Sequence, residues 1–253
     1  MYNYNQPLTL TEISMRKLRE ELNNVLAYWI RNLLLAANDG IYSYSQQVEK
    51  VRHKCKTLNE FLASLPKPIL DDVIPPLVAD FFKKISSYNE KFLGLKRIRK
   101  HAETKHEALC TEMLKSLLGP FTRRYNTGKV SSFGQRLIIE TFNSTPNLKI
   151  LVFATAPEID NSALLANNIR HLQNLELFQY KYKSTDHVVQ QLALHCKKLR
   201  KIDVSYSRAV TDLSVQYLLK LQDLRVLDLT GTSVTERQHG LLKSGLRNIT
   251  ILF

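Results

Sequence analysis

The residues whose types are best suited to chemistry are three cysteines and seven histidines, and they meet in sequence only twice. His53-Lys-Cys55 and His195-Cys196 each bring together two soft donors, but no further ligands follow at the spacing of a tetrahedral zinc site. His101 and His106 stand five residues apart in a basic stretch and read as solvated side chains. There is no glycine-rich phosphate loop, no Gly-x-Ser-x-Gly turn and no kinase signature. The expectation is therefore a chain that is not an enzyme, with no catalytic residue, no metal and no cofactor.

The totals point the same way. The 253 residues are 44% hydrophobic and 23% charged, with 8 glycines and 8 prolines, which is ordinary material for one large or two small domains. No secretory leader is expected from the first twenty residues, which hold no apolar run behind basic residues. The longest apolar stretch, Leu33 to Ala37, is too short to span a bilayer, so no membrane partner is expected. Three widely spaced cysteines, Cys55, Cys110 and Cys196, suit a reducing compartment, cytoplasmic or nuclear, better than a disulfide framework. The net charge of +13 attracts acidic partners. Basic residues gather between Lys83 and Arg124, among them Lys91, Lys96, Arg97, Arg99, Lys100, Lys105 and Arg123. They could form a contact for an acidic partner or simply solvated helix faces. Aromatics are not interleaved with them on a recognisable module, so nucleic acid is not the expected partner.

The strongest pattern is a repeat. Leu148-Lys-Ile-Leu151-Val-Phe153, Leu175-Glu-Leu-Phe178-Gln-Tyr180, Leu199-Arg-Lys-Ile202-Asp-Val204, Leu224-Arg-Val-Leu227-Asp-Leu229 and Ile249-Thr-Ile-Leu252-Phe253 begin 27, 24, 25 and 25 residues apart. In each, the last two apolar positions are two apart, as a strand with one buried face requires. Asp160, Asp186, Asp212 and Glu236 follow 11 to 13 residues after the strand starts, and Thr185, Thr211 and Thr235 stand beside the last three. Such residues suit helix N-termini, where side-chain oxygens and negative charge meet unpaired N–H groups. Each unit is thus strand, turn, helix and return, and stacking is needed to bury its apolar face. Cys196-Lys-Lys-Leu199-Arg-Lys-Ile202-Asp-Val204, followed by Val210-Thr211-Asp212-Leu213, resembles the cysteine-containing leucine-rich repeat. Cys196 itself is expected to be a buried packing residue.

The fold class expected is α/β, a helical N-terminal domain over residues 1–125 followed by a short leucine-rich-repeat solenoid over 126–253, with a parallel sheet on its concave face. Strand positions facing out would line that surface: Ile150, Val152 and Ala154, then Leu177, Gln179 and Lys181, then Lys201, Asp203 and Ser205, then Val226, Asp228 and Thr230. Gln179, Lys181, Lys201, Asp203, Ser205, Asp228 and Thr230 are the candidate contacts for a protein substrate. The strand pattern at Phe253 admits three readings: an end cap, an edge covered by a partner, or a truncation.

Ahead of the repeats, apolar residues recur at helical spacing. One run passes through Ile13, Leu18, Leu22, Val25, Leu26, Trp29, Ile30 and Leu33 and stops at Asn38-Asp39-Gly40. A second carries Val48, Val51, Cys55, Leu58 and Leu62 up to Leu65-Pro66-Lys67-Pro68. A third holds Ile69 to Ile74 and resumes with Leu77, Phe81 and Phe82 beyond Pro75-Pro76. A fourth holds Leu109 to Leu118 and ends at Gly119-Pro120. A loop from Tyr125 to Gly128 and a helix from Gln135 to Phe142 lead into the repeats.

The first of these runs opens with Thr9-Leu10-Thr11-Glu12-Ile13-Ser14-Met15-Arg16-Lys17-Leu18. This segment resembles the BC-box by which substrate receptors dock onto elongin C: Thr9, Leu10 and Leu18 match the pattern, and Ser14 stands where cysteine is usual. By that resemblance Leu10, Ser14 and Leu18 would face the adaptor, with Leu10 in a hydrophobic pocket. Leu65-Pro66 and the residues after it resemble the Leu-Pro segment that follows the BC-box in cullin-2-type receptors. The same stretch resembles an F-box, which docks onto Skp1, although the tryptophan expected near its end is absent. Both resemblances imply a substrate-recognition subunit of a cullin–RING ubiquitin ligase. Its partners would be elongin B/C and a cullin, or Skp1, together with a protein substrate. The alternative is a repeat scaffold that binds an acidic partner outside any ligase.

Overall fold

The computed structural model describes residues 10–126, 130–154, 159–246 and 248–253, apart from the side chains of 10, 11 and 96–101. The chain forms two compact units that divide between Met113 and Leu114. The first holds α1 (Leu10–Asp39), α2 (Ile41–Ser64), α3 (Lys67–Gly94) and most of α4 (Lys96–Leu117).

The helices of the first unit follow from their apolar spacing. Along α2 the buried residues Tyr44, Val48, Val51, Cys55, Leu58 and Leu62 alternate steps of four and three, which keeps them on one stripe. In α1, Leu22, Leu26, Trp29, Ile30, Leu33 and Ala37 do the same, and this helix packs against both α2 and α3. Across the α1–α3 contact, Asn23 Nδ2 donates to Asp80 Oδ2 at 3.0 Å. Gly40, at φ 134°, makes the break between α1 and α2 in a conformation that a side chain would resist. Leu65-Pro66 ends α2, and Pro68 falls in the first turn of α3, where a missing N–H costs nothing.

The third run continues beyond Pro75-Pro76, and α3 passes straight through both. The carbonyls deprived of their helical donors belong to Asp71 and Asp72, both exposed residues. The apolar stripe on either side, from Leu70, Val73 and Ile74 to Leu77, Val78 and Phe81, holds the helix together across the gap.

One polar cluster lies inside this unit. His106, 1% exposed, stacks on Phe92 with ring centroids 3.9 Å apart and planes 5° apart. Its Nε2 donates to Asn89 Oδ1 at 2.9 Å, and its Nδ1 lies 3.4 Å from the Tyr44 hydroxyl, which in turn is 2.9 Å from that of Tyr88. Burial pushes the imidazole pKa down to about 4, so the ring is neutral and not the solvated side chain expected from its basic surroundings.

The second unit is an α/β arrangement around one parallel sheet. Its strands are β1 (Arg124–Asn126), β2 (Ile150–Phe153), β3 (Leu177–Tyr180), β4 (Lys201–Asp203), β5 (Val226–Asp228) and β6 (Thr250–Leu252). They lie side by side in chain order, each pairing with the next. Between them run α5 (Ser132–Glu140), α6 (Ser162–Asn168), α7 (Asp186–His195), α8 (Val215–Leu218) and α9 (Glu236–Gly245), and successive helices pack on one another. The apolar positions of the four complete strand patterns, from Leu148 to Leu229, are each at most 2% exposed. At roughly 1.5–3 kcal/mol for each fully buried side chain of this size, these positions are the main hydrophobic source of the unit's stability.

β1 was expected to be loop, and the helical part was expected to run to residue 125. Arg124 instead pairs with Ile150, Tyr125 with Leu151 and Asn126 with Val152. The segment contributes one inward side chain, Tyr125, which is 3% exposed, and it lacks the leucines that mark the later strands. Cys196 is fully buried, its Sγ bonded to the Leu172 carbonyl at 3.3 Å, and burial raises its thiol pKa to about 12.

Candidate partner-binding surface

Because side chains alternate along a strand, each residue that turns away from the buried row forms a line with its counterparts on the neighbouring strands. One such line follows the register Ile150, Leu177, Lys201, Val226 and Thr250. A second follows Val152, Gln179, Asp203, Asp228 and Leu252. Gln179, Lys201 and Asp228 thus lie on adjacent strands, as their spacing implied. Lys201 is exposed, while Gln179, Lys181, Asp228 and Thr230 are half-buried.

Two expected contacts are largely withdrawn from solvent. Asp203 is 6% exposed and Ser205 only 1%. Asp203 Oδ1 accepts from the Ser205 backbone N–H at 3.2 Å and from its hydroxyl at 2.7 Å, and Lys181 Nζ lies 3.1 Å from Oδ2. Ser205 is therefore corrected from an outward contact to an internal partner of Asp203. Partial burial opposes the charge on Lys181, but Asp203 and, more weakly, Asp228 hold its ammonium above the ordinary lysine pKa. Asp228 repeats the arrangement one strand on, its Oδ1 accepting from Thr230 N–H at 3.0 Å. In both cases a carboxylate at the end of a strand fixes the turn that follows.

Spacing alone missed the residues just past these turns. Tyr182 and Tyr206 have φ of 69° and 61°, and their rings stack with centroids 5.3 Å apart and planes 15° apart. Each is 50% exposed, so the pair forms an aromatic step at the C-terminal end of β3 and β4. The available signal was Gly231, which has the same backbone conformation in the next unit, at φ 68°.

The candidate adaptor residues lie in the first unit. Thr9 and the side chain of Leu10 fall outside the described residues, although Leu10 is the first residue of α1. Ser14 and Leu18 are one turn apart on that helix, Ser14 exposed and Leu18 half-buried, and Ile13 beside them is 52% exposed. Leu65, half-buried, and Pro66, exposed, form the link between α2 and α3. In the basic stretch, the side chains of Lys96, Arg97, Arg99 and Lys100 are outside the description.

Among the described residues no three His, Cys, Asp or Glu side chains gather as a metal site would require. Nor is any described helix long and apolar enough to cross a membrane. Compared with known proteins, the chain matches no family model and no curated relative.

Proposed function

We propose that this protein is a protein-interaction module of the leucine-rich-repeat type that serves as a substrate receptor for a cullin–RING ubiquitin ligase. In this reading the strand–helix units form a short solenoid and the outward rows of its sheet, on the concave face, hold the substrate. The helical unit docks the adaptor, elongin C, through Leu10, Ser14 and Leu18. The observation that carries the binding reading is the parallel register, which lines up Gln179, Asp203 and Asp228 in one outward row and sets Lys201 in the row beside it, over a fully packed interior. Exposed Ile13 and half-exposed Leu18 on the first turns of α1 support the docking reading, since a helix in a groove needs apolar side chains left open.

Retention on immobilised elongin B/C tests it. The folded wild type is expected to bind, and Leu10→Asp and Leu18→Asp each to weaken binding by about tenfold or more, as truncating an anchor in a pocket does. Capture by Skp1 in place of elongin B/C would favour the F-box-like receptor. Retention by neither would remove the ligase reading. The scaffold for an acidic partner would then stand, as the charge of +13 favours. It predicts partner binding that weakens steeply with salt and survives loss of the first twenty residues.

A further inference from the structure

α1 and α3 leave between them a groove of about 580 Å³ whose two walls differ in chemistry. Ile30, Leu34 and Leu35 supply an apolar wall, and Leu35 is 52% exposed. Arg31 from α1 and Lys84 and Lys91 from α3 supply charge, with Lys83 beside them held 3.6 Å from Asp80. No carboxylate lines the groove, and among the described residues Arg31, Lys84 and Lys91 have no acidic partner. Lys84 reaches only the neutral Asn23 Oδ1, at 3.3 Å. Three cations gathered without counter-charge repel one another, and the apolar wall beside them stays wet. An occupant bearing carboxylates on one side and aliphatic side chains on the other would relieve both.

We propose that this groove docks an acidic amphipathic helix of a partner protein. The lining residues of α1 run from Ala27 to Leu35 and those of α3 from Lys83 to Lys91. Each wall is therefore about 12 Å long at 1.5 Å per residue, room for roughly two turns of helix. Leucines spaced three and four apart on such a segment would lie on Ile30, Leu34 and Leu35, and glutamates flanking them would meet Arg31, Lys84 and Lys91. The site is separate from Leu10, Ser14 and Leu18, so it adds a second contact to the adaptor and substrate surfaces already proposed.

The test is fluorescence anisotropy of the 253-residue chain with a labelled synthetic helix of about fifteen residues, leucines at helical spacing and glutamates elsewhere. A counterpart with lysines in place of the glutamates is run beside it. The Glu/Leu peptide is expected to bind and the Lys/Leu peptide not to. Arg31→Glu combined with Lys91→Glu should weaken binding at least about tenfold, and Leu35→Asp should do the same with the charges intact. All three positions are exposed, so the variants should fold, which circular dichroism checks. Equal binding by the charge-reversed protein, or by the Lys/Leu peptide, would overturn the proposal. So would capture by phosphatidylserine vesicles through the same residues without peptide binding. Leu10→Asp and Leu18→Asp should leave peptide affinity unchanged, so failure of this groove and failure of the elongin reading are told apart.

Discussion

Tyr182, Tyr206 and Gly231 occupy equivalent places past three successive strands, and all three adopt the left-handed conformation. For the two tyrosines this costs about 1 kcal/mol each, set against a stack of two half-exposed rings. Glycine is needed at the third place because a Cβ on Gly231 would come within 2.9 Å of the Tyr206 ring. Gly231→Ala is therefore expected to lose about 1–2 kcal/mol, from the backbone conformation and from displacement of the ring. Urea unfolding measures it, and no loss would mean that Tyr206 moves aside freely. The stack also marks a limit of what residue types disclose. Positions 203 and 205 were legible as outward by alternation, but not that their side chains would satisfy each other and Lys181. The bond between Asp203 and Ser205 is a local turn contact, whereas the reach to Lys181 crosses from one strand to the next, over a distance that no spacing along the chain contains.

At the scale of elements, the units are joined by a hydrogen-bonded chain running from one helix start to the next. Asp186, the first residue of α7, accepts from the N–H of Thr211 at 2.8 Å, from its hydroxyl at 2.7 Å, and from the Ser214 hydroxyl. Asp212 repeats the contact one unit on, accepting from the Thr235 N–H at 2.7 Å and its hydroxyl at 2.9 Å. These Thr-Asp and Thr-Glu pairs were legible as helix starts, and Thr185 and Thr211 do cap their own helices. That the carboxylate would be given to the following unit was not legible, since an isolated helix start gives an acid no reason to turn outward. The two links differ in burial: Thr211 is half-buried and Thr235 exposed. Asp186→Ala should therefore cost about 1–3 kcal/mol, because the Thr211 N–H loses its partner where water replaces it poorly. Asp212→Ala should cost less than about 1 kcal/mol, because water reaches Thr235. Equal losses in urea unfolding followed by circular dichroism would show that the links do not work through desolvation. Missing β1 has a related cause, since Arg124-Tyr125-Asn126 offers one apolar residue and gains its strand form from pairing with β2.

For the molecule as a whole, division into two compact units means that one unit can be perturbed and observed by itself. The first carries both the buried imidazole of His106 and the single tryptophan, Trp29, which is 4% exposed. Tyr44, Tyr88, Asn89, Phe92 and Cys110 stand against the imidazole, and its burial among them is what opposes a proton on the ring. Unfolded, His106 takes up its proton near pH 6.5, whereas folded it does so only near 4. Between those values the unfolded chain binds the extra proton, so stability falls as pH falls through the window and is flat on this account above it. The full difference is on the order of 3 kcal/mol, reached below pH 4. Thermal unfolding read by Trp29 fluorescence should therefore move to lower temperature between pH 6.5 and 4.5. In His106→Gln, which keeps a hydrogen-bonding side chain but cannot titrate, the midpoint should depend much less on pH across the same interval, whatever its absolute value. An unchanged slope in that variant would assign the acid sensitivity to surface carboxylates and leave the buried ring without a part in it.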